Sequence, residues 1–366
     1  YHATWNCDML KNYLHNKNNP ESTIQIPLIN YKFNEQKSGT EKRVLIVTHP
    51  GGGGVEIYLQ MLLKYITNPL ILRPNSIKMN LYELDGHFFH EQNITDLYIY
   101  LCRYDIEYII MNHSMIYMPQ VFKMIEQLQD NNSCNIISIL HDLTFKQHRN
   151  KKSTLYTNCR ANILSRSKVI ICPSHYIQDQ YKNNLNIVVE PHPDMIDGEN
   201  EMIINKCTDK LKILIIGDNK GQKQILEFMN EMDSTVELFY AGQIDISDER
   251  LNILTNHYND TDIMNLIKEN NPHFIWFPSK KPESYCYALS FVIRSGYPIV
   301  AYNTGAFSLR LRNRKCSFLL PVNDKLSNYK KSIIKTLNEC DCVENIYEKS
   351  KTEEDYMNQF MLYIKN

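Results

Sequence analysis

Apolar positions in this chain recur in two alternating forms. Short unbroken runs rich in β-branched residues, such as Val44-Leu45-Ile46-Val47-Thr48, suit strands buried on both faces of a parallel sheet. Stretches with apolar residues at helical spacing follow them, as in Val55-Glu56-Ile57-Tyr58-Leu59-Gln60-Met61-Leu62-Leu63. Further strand-like runs lie at 70–74, 108–111, 136–140 and 169–172. The sequence turns polar around 194–208, and a second series opens at Lys212-Ile213-Leu214-Ile215-Ile216-Gly217. It continues through 236–242, 273–279 and 299–301. Alternation of this kind predicts an α/β protein with doubly wound sheets, whose ligand sites lie beyond the carboxyl ends of the strands. The boundaries expected are an N-terminal arm or linker at 1–42, a Rossmann-like domain at 43–200, a second at 208–345 and an amphipathic helix within 346–366.

Composition narrows the function classes. At 366 residues and 43% hydrophobic, the chain can bury two cores. The 40 basic and 41 acidic side chains leave a formal charge of -1, so no overall field favours nucleic acid or an anionic membrane. The 10 cysteines form no C-x-x-C, the closest pair being Cys340 and Cys342, and with scattered histidines they read as reduced thiols of a cytoplasmic protein without a metal site. No apolar run approaches the roughly 18 residues of a membrane helix, and no signal peptide is expected. The first residue is Tyr1 rather than Met, which suggests a piece of a longer, multidomain chain.

Candidate chemistry gathers at the predicted strand ends. The first strand runs into His49-Pro50-Gly51-Gly52-Gly53-Gly54 and then a helix, an arrangement that lets a backbone come close to phosphate oxygens, with Gly53 and Gly54 nearest the helix. Gly54 is followed by Val55-Glu56, which excludes a P-loop, and Glu56 stands where a dinucleotide fingerprint needs its third glycine. Later strands end in His113 and in His141-Asp142. A satisfied structural histidine is the competing reading for His141 and His113. In the second half, Lys220 and Lys223 lie in or beside a glycine-bearing loop suited to a diphosphate, against the alternative of surface lysines. Glu283 precedes a helix in residues 278–306, which places a carboxylate beside free N–H groups and a positive helix end. Asp260-Thr261-Asp262 precedes a helix and reads as its cap rather than as a metal ligand.

Residues 278–306, reading Pro-Glu-Ser-Tyr-Cys-Tyr-Ala-Leu-Ser, then a helix, Gly-Tyr-Pro-Ile-Val-Ala and a Gly305-Ala306 turn, resemble the donor-binding segment of family-4 retaining glycosyltransferases of GT-B fold. The ordered series Gly242, Tyr258-x-Asp260-x-Asp262, the run at 272–279 and Pro282-Glu283-Ser284 matches the sub-branch with a PES-x-C-Y-x-LS motif, and the Gly-Ala-x-x-x-Arg-Leu at 305–311 matches the family's. The resemblance implies two Rossmann-like domains with a cleft between them, the first on the acceptor side, the second binding the donor, and a C-terminal helix crossing back. It implies transfer of a hexose from a nucleotide-diphosphate sugar with retention, without metal or cofactor, to a glycan, lipid-linked or protein acceptor of unknown identity. By the same resemblance Glu283 contacts sugar hydroxyls, and the amides of Ser284 and Tyr285, beside Cys286 and Lys220, hold the diphosphate. His141 supports the oxocarbenium-like centre, often through its main-chain carbonyl, while His113, Asp142, Ser174, His192, Gly305 and Ala306 complete the cleft. Phe291 occupies the place of the family's second Glu, which grips the ribose. The rival expectation is therefore a GT-B-fold binding module impaired in catalysis. A sugar-nucleotide epimerase would need more acidic and basic groups than these positions offer.

Overall fold

A computed structural model describes residues 42–49, 53–75, 81–114, 117–142, 154–181, 185–193, 203–207, 209–217, 221–256, 258, 260–339 and 352–365. The chain forms two compact units, one ending at His192 and taking up the chain again from Glu354, the other spanning Pro193–Glu353.

In the first unit, β1 (Lys42–Val47), α1 (Gly53–Tyr65) and β2 (Leu70–Pro74) open the alternation. A hairpin of β3 (Leu81–Leu84) and β4 (His87–His90) follows, then α2 (Ile94–Leu101), β5 (Asp105–Met111), α3 (Pro119–Asn132), β6 (Asn135–Ile139), α4 (Thr154–Arg166), β7 (Ser167–Cys172), α5 (His175–Gln180) and β8 (Ile187–Val189). The sheet order is β4-β3-β2-β1-β5-β6-β7-β8, parallel except at the hairpin. That hairpin, absent from the sequence-based expectation, turns at Asp85-Gly86 with φ of 50° and 78°. Asp-Gly with both residues left-handed is the tight connection that matches the twist of paired strands.

The second unit holds β9 (Leu211–Ile216), α6 (Gln222–Glu231), β10 (Val236–Ala241), β11 (Leu251–Thr255), α7 (Asp260–Asn270), β12 (Phe274–Phe277), α8 (Tyr287–Ser295), β13 (Ile299–Tyr302), α9 (Gly305–Leu311), β14 (Ser317–Leu320) and α10 (Leu326–Glu339). Its sheet is wholly parallel, ordered β11-β10-β9-β12-β13-β14. Each central strand feeds two cores. Ile213, Ile215, Trp276, Val300 and Tyr302 face one apolar layer, and Leu214, Ile216, Ile275, Ile299 and Ala301 face the other. Burial on both faces is why these strands read as unbroken apolar runs.

The final helix, α11 (Glu353–Lys365), packs almost entirely as part of the first unit. Tyr356, Met357, Phe360 and Ile364 are buried on one face, and the Tyr58 and Tyr356 hydroxyls meet at 2.7 Å. Tyr363 donates to Glu190 Oε2 at 3.2 Å, and Lys168 Nζ donates to the Ile364 carbonyl at 3.3 Å.

In each sheet the strand order reverses once, at β1/β5 and at β9/β12. Loops leaving the carboxyl ends of such a pair diverge to opposite faces and open a crevice, where doubly wound sheets bind ligands.

Candidate functional site

In the first unit, β1 and β5 pair with Val47 beside Met111, which brings Thr48 and His49 next to Asn112 and His113. The His113 amide continues the ladder to the Val47 carbonyl at 3.1 Å. Asn112 Nδ2 donates to Thr48 Oγ1 at 3.0 Å and reaches the Val55 carbonyl at 3.5 Å. A carbonyl only accepts, so the amide orientation is fixed and Asn112 Oδ1 faces His141 Nε2 at 2.8 Å. His141 therefore carries its proton on Nε2, and its Nδ1 accepts from His192 Nε2 at 3.2 Å.

Burial, followed by the neighbouring His192 and His113, holds His141 well below the ordinary histidine range, so the ring is neutral. Burial likewise brings His49 down to about 3. Both nitrogens of His141 are engaged within the unit, and Tyr58 packs edge-on against it with ring centroids 4.8 Å apart. The ring is thus a fixed neutral group, and what it fixes is the chain leaving β6.

His113 is buried, edge-on to His49 at 4.4 Å, with Nε2 3.6 Å from Asp142 Oδ2. Asp142 is the exposed member of the set. The structure thus brings His113, His141, Asp142 and His192 together, and adds Thr48, His49, Tyr58 and Asn112. Gly53 starts α1 with φ of +69°, and a Cβ there would meet nothing within 4 Å. Backbone conformation, not crowding, requires the glycine. Gly54 is half-buried in the same first turn, and Ser174 caps α5 by position, with its hydroxyl buried.

In the second unit, the loops after β9, β10, β12 and β13 converge. A Cβ on Gly242 would lie 2.0 Å from the Gly217 carbonyl oxygen, and one on Gly221 would lie 2.3 Å from Pro278 Cγ. Gly305, at φ +51°, approaches even the backbone of Glu283, where a Cβ would stand 2.5 Å from the carbonyl oxygen and 2.7 Å from the nitrogen. The Ala306 amide donates to that Glu283 carbonyl at 2.8 Å. Glycines at these points let the loops lie one upon another.

Cys286 precedes α8 in a left-handed conformation, φ 66° and ψ 87°, which costs a side-chain-bearing residue roughly 1–2 kcal/mol. Arg310, reaching across from α9, offsets that cost. Its Nη1 donates to the Tyr285 and Cys286 carbonyls at 3.1 and 3.0 Å, its Nη2 to Ser290 Oγ at 2.8 Å, and its guanidinium stands 4.3 Å from the Tyr285 ring centroid. Tyr285 is buried beneath it, while Glu283 and Ser284 are half-buried.

Two sequence candidates fall outside this assembly. Lys223 points from α6 into solvent, its side chain 80% exposed and 3.8 Å from Glu227 one turn on, an i,i+4 pair of small consequence. Phe291 is buried in the apolar layer with Leu289, Val292 and Ile293, so it offers no polar contact and no exposed face. Lys220 lies outside the described residues. Asp260, Thr261 and Asp262 form the first turn of α7. Among the described residues, no group of three or more His, Cys, Asp or Glu is placed to hold a metal ion, and no helix is long and apolar enough to cross a membrane.

No family model and no curated protein sequence matches this chain. Solved structures do match. Anabaena HepE in complex with UDP and glucose aligns with a TM-score of 0.59 at 12% identity, over 88% of this chain and 99% of that one. A glycosyltransferase from Rickettsia africae aligns at 0.54 and 12%, over 89% and 97%, and sucrose-phosphate synthase from Thermosynechococcus elongatus at 0.53 and 12%, over 88% and 98%. The chain has the GT-B fold.

In that GT-B frame, sequence reasoning passed over Asn112 and Arg310 as site residues. Asn112 sits directly before His113 at a strand end, and Arg310 lies within Gly-Ala-x-x-x-Arg-Leu, so both were visible. Their roles were not, because each acts through contacts 20 or more positions away in sequence.

Proposed function

We propose that this protein is a retaining, metal-independent glycosyltransferase of family 4, moving a sugar from a nucleotide-diphosphate sugar to an acceptor. One observation carries the reading: at the switch point of the second unit, Glu283, the first turn of α8 and the Gly305-Ala306 turn are locked into one assembly. Half-buried Glu283 accepts hydroxyls of the sugar. The Ser284 and Tyr285 amides and the positive end of α8 take the diphosphate, with Lys220 adding charge. Complexes of HepE with UDP, and with UDP-glucose, support a uridine nucleotide as the first donor to test.

The first unit contributes Gly53 and Gly54 at the start of α1 and the neutral His141. Since the His141 ring is spent on Asn112 and His192, its part in transfer is through the main chain, supporting positive charge at the anomeric carbon. Acceptor choice falls to the loops of this unit.

The buried Phe291 favours a second reading, a GT-B binding module that has lost turnover. A missing carboxylate removes charge-assisted ribose contacts of about 1.5–3 kcal/mol, or roughly one to two powers of ten in affinity, which an enzyme survives at high donor concentration. Thermal unfolding with a panel of nucleotide sugars tests the proposal. A bound donor at about a hundred times its Kd adds about 2.7 kcal/mol, and a panel in which no nucleotide sugar raises Tm sinks it.

A further inference from the structure

Arg310 has an unusual set of partners for an arginine beside a site read as taking a diphosphate. Both N–H groups of Nη1 are used on main-chain carbonyls, those of Tyr285 and Cys286, at 3.1 and 3.0 Å. Nη2 is bonded to Ser290 Oγ at 2.8 Å, and the guanidinium plane rests on the Tyr285 ring. The side chain is thus directed at the loop. Its targets are the two residues that set the direction of α8. Cys286 is held left-handed directly before the helix, and its carbonyl also accepts from the Leu289 amide at 3.1 Å. On the other side of the same loop, Ala306, at the start of the helix that carries Arg310, binds the Glu283 carbonyl at 2.8 Å. One short helix therefore grips the 283–286 segment at both ends, with an amide at its first turn and a guanidinium at its last.

We propose that Arg310 is a positioning residue for the donor diphosphate. By pinning the Tyr285 and Cys286 carbonyls it fixes the left-handed turn at Cys286, and so aims the first N–H groups of α8 at the phosphates without touching them. The inference rests on the reading of residues 278–306 as the donor segment. Lysine is no substitute here. A single ammonium cannot span two carbonyls, a hydroxyl and a ring face in one plane.

The test uses the full chain and its Arg310→Gln and Arg310→Lys variants, with hydrogen exchange in the absence of ligand and titration with UDP. Exchange at the amides of residues 285–290 is expected to accelerate by about tenfold or more in both variants, while the β12 and β13 amides keep parental protection. UDP affinity is expected to fall by about tenfold to a hundredfold. Unchanged exchange at 285–290, or unchanged UDP affinity in a variant with faster local exchange, overturns the inference. So does acceleration spread evenly over the unit, which marks Arg310 as merely structural. A parent chain that binds no nucleotide instead refutes the donor reading, and the exchange data then still decide whether Arg310 sets the turn. Should Arg310→Gln fail to fold, the lysine variant, which keeps the charge, carries the test.

Discussion

Gly305→Ala is the substitution on which the loop assembly of the second unit depends most directly. Two costs add. An alanine at φ +51° sits in the left-handed region, which disfavours a Cβ by roughly 1–2 kcal/mol. The new methyl would also stand 2.5 Å from the Glu283 carbonyl oxygen and 2.7 Å from its nitrogen, main-chain atoms that cannot swing aside as a side-chain tip can. Overpacking of this kind costs about 1–3 kcal/mol. Together they predict a loss of about 2–5 kcal/mol. Urea unfolding followed by Trp276 fluorescence reports on this unit, since that indole is fully buried between its core residues. Gly305→Asn separates the two costs, because asparagine tolerates the left-handed region but still carries a Cβ. The account predicts that asparagine is nearly as damaging as alanine. An asparagine variant within about 0.5 kcal/mol of the parent would refute the collision and leave only backbone strain.

Other perturbations probe the two units separately. Tyr356→Phe leaves the buried Tyr58 hydroxyl without its 2.7 Å partner and should destabilise the first unit by about 1–3 kcal/mol in denaturant, with a smaller added loss in the Tyr58→Phe/Tyr356→Phe double variant; strict additivity would count against the pair. Acidification should also weaken this unit. His49 and His141 have folded pKa values below the ordinary 6.5, so the unfolded chain takes up protons first and stability falls as pH drops below about 6.5, toward 3 for His49. Each histidine contributes up to about 1.4 kcal/mol per pH unit, and His49→Gln should flatten the dependence seen by circular dichroism. Phe291→Glu would not restore a ribose contact: loss of the buried phenyl alone costs about 3–5 kcal/mol, so the variant should melt far below the parent with no gain in nucleotide affinity, and tighter binding in a stable variant would contradict the burial.

Much of the fold was legible because strands buried on both faces leave unbroken apolar runs. β1, β9, β12 and β13 all lie where such runs do; β9, β12 and β13 feed layers on both sides, and Leu45, Ile46 and Val47 of β1 are fully buried. The β3–β4 hairpin escaped because His87 and Phe88 at its edge are exposed and its strands are four residues each, although Asp85-Gly86 flanked by Leu-Tyr-Glu-Leu and His-Phe-Phe-His carried the turn signal. β11 was missed for a similar reason, with Asn252 and Ile253 facing solvent. Among candidate residues, strand-end position singled out His113 and His141, and the family resemblance His192, but neither said which nitrogen bonds to what. Lys223 shows the limit in the other direction. Helical phase, which a spacing of three residues from Lys220 left open, turns it to solvent. Phe291 was read as an altered ligand position, and burial shows that the altered residue belongs to the core.

The most direct measurement compares UDP with UDP-glucose by calorimetric titration, for the parent chain and for Glu283→Ala. If Glu283 holds the sugar and the first turn of α8 holds the diphosphate, the parent binds the nucleotide sugar more tightly than UDP, and the alanine variant loses that increment while keeping its affinity for UDP. A variant that retains the full increment, or a parent chain that binds neither ligand, contradicts the account.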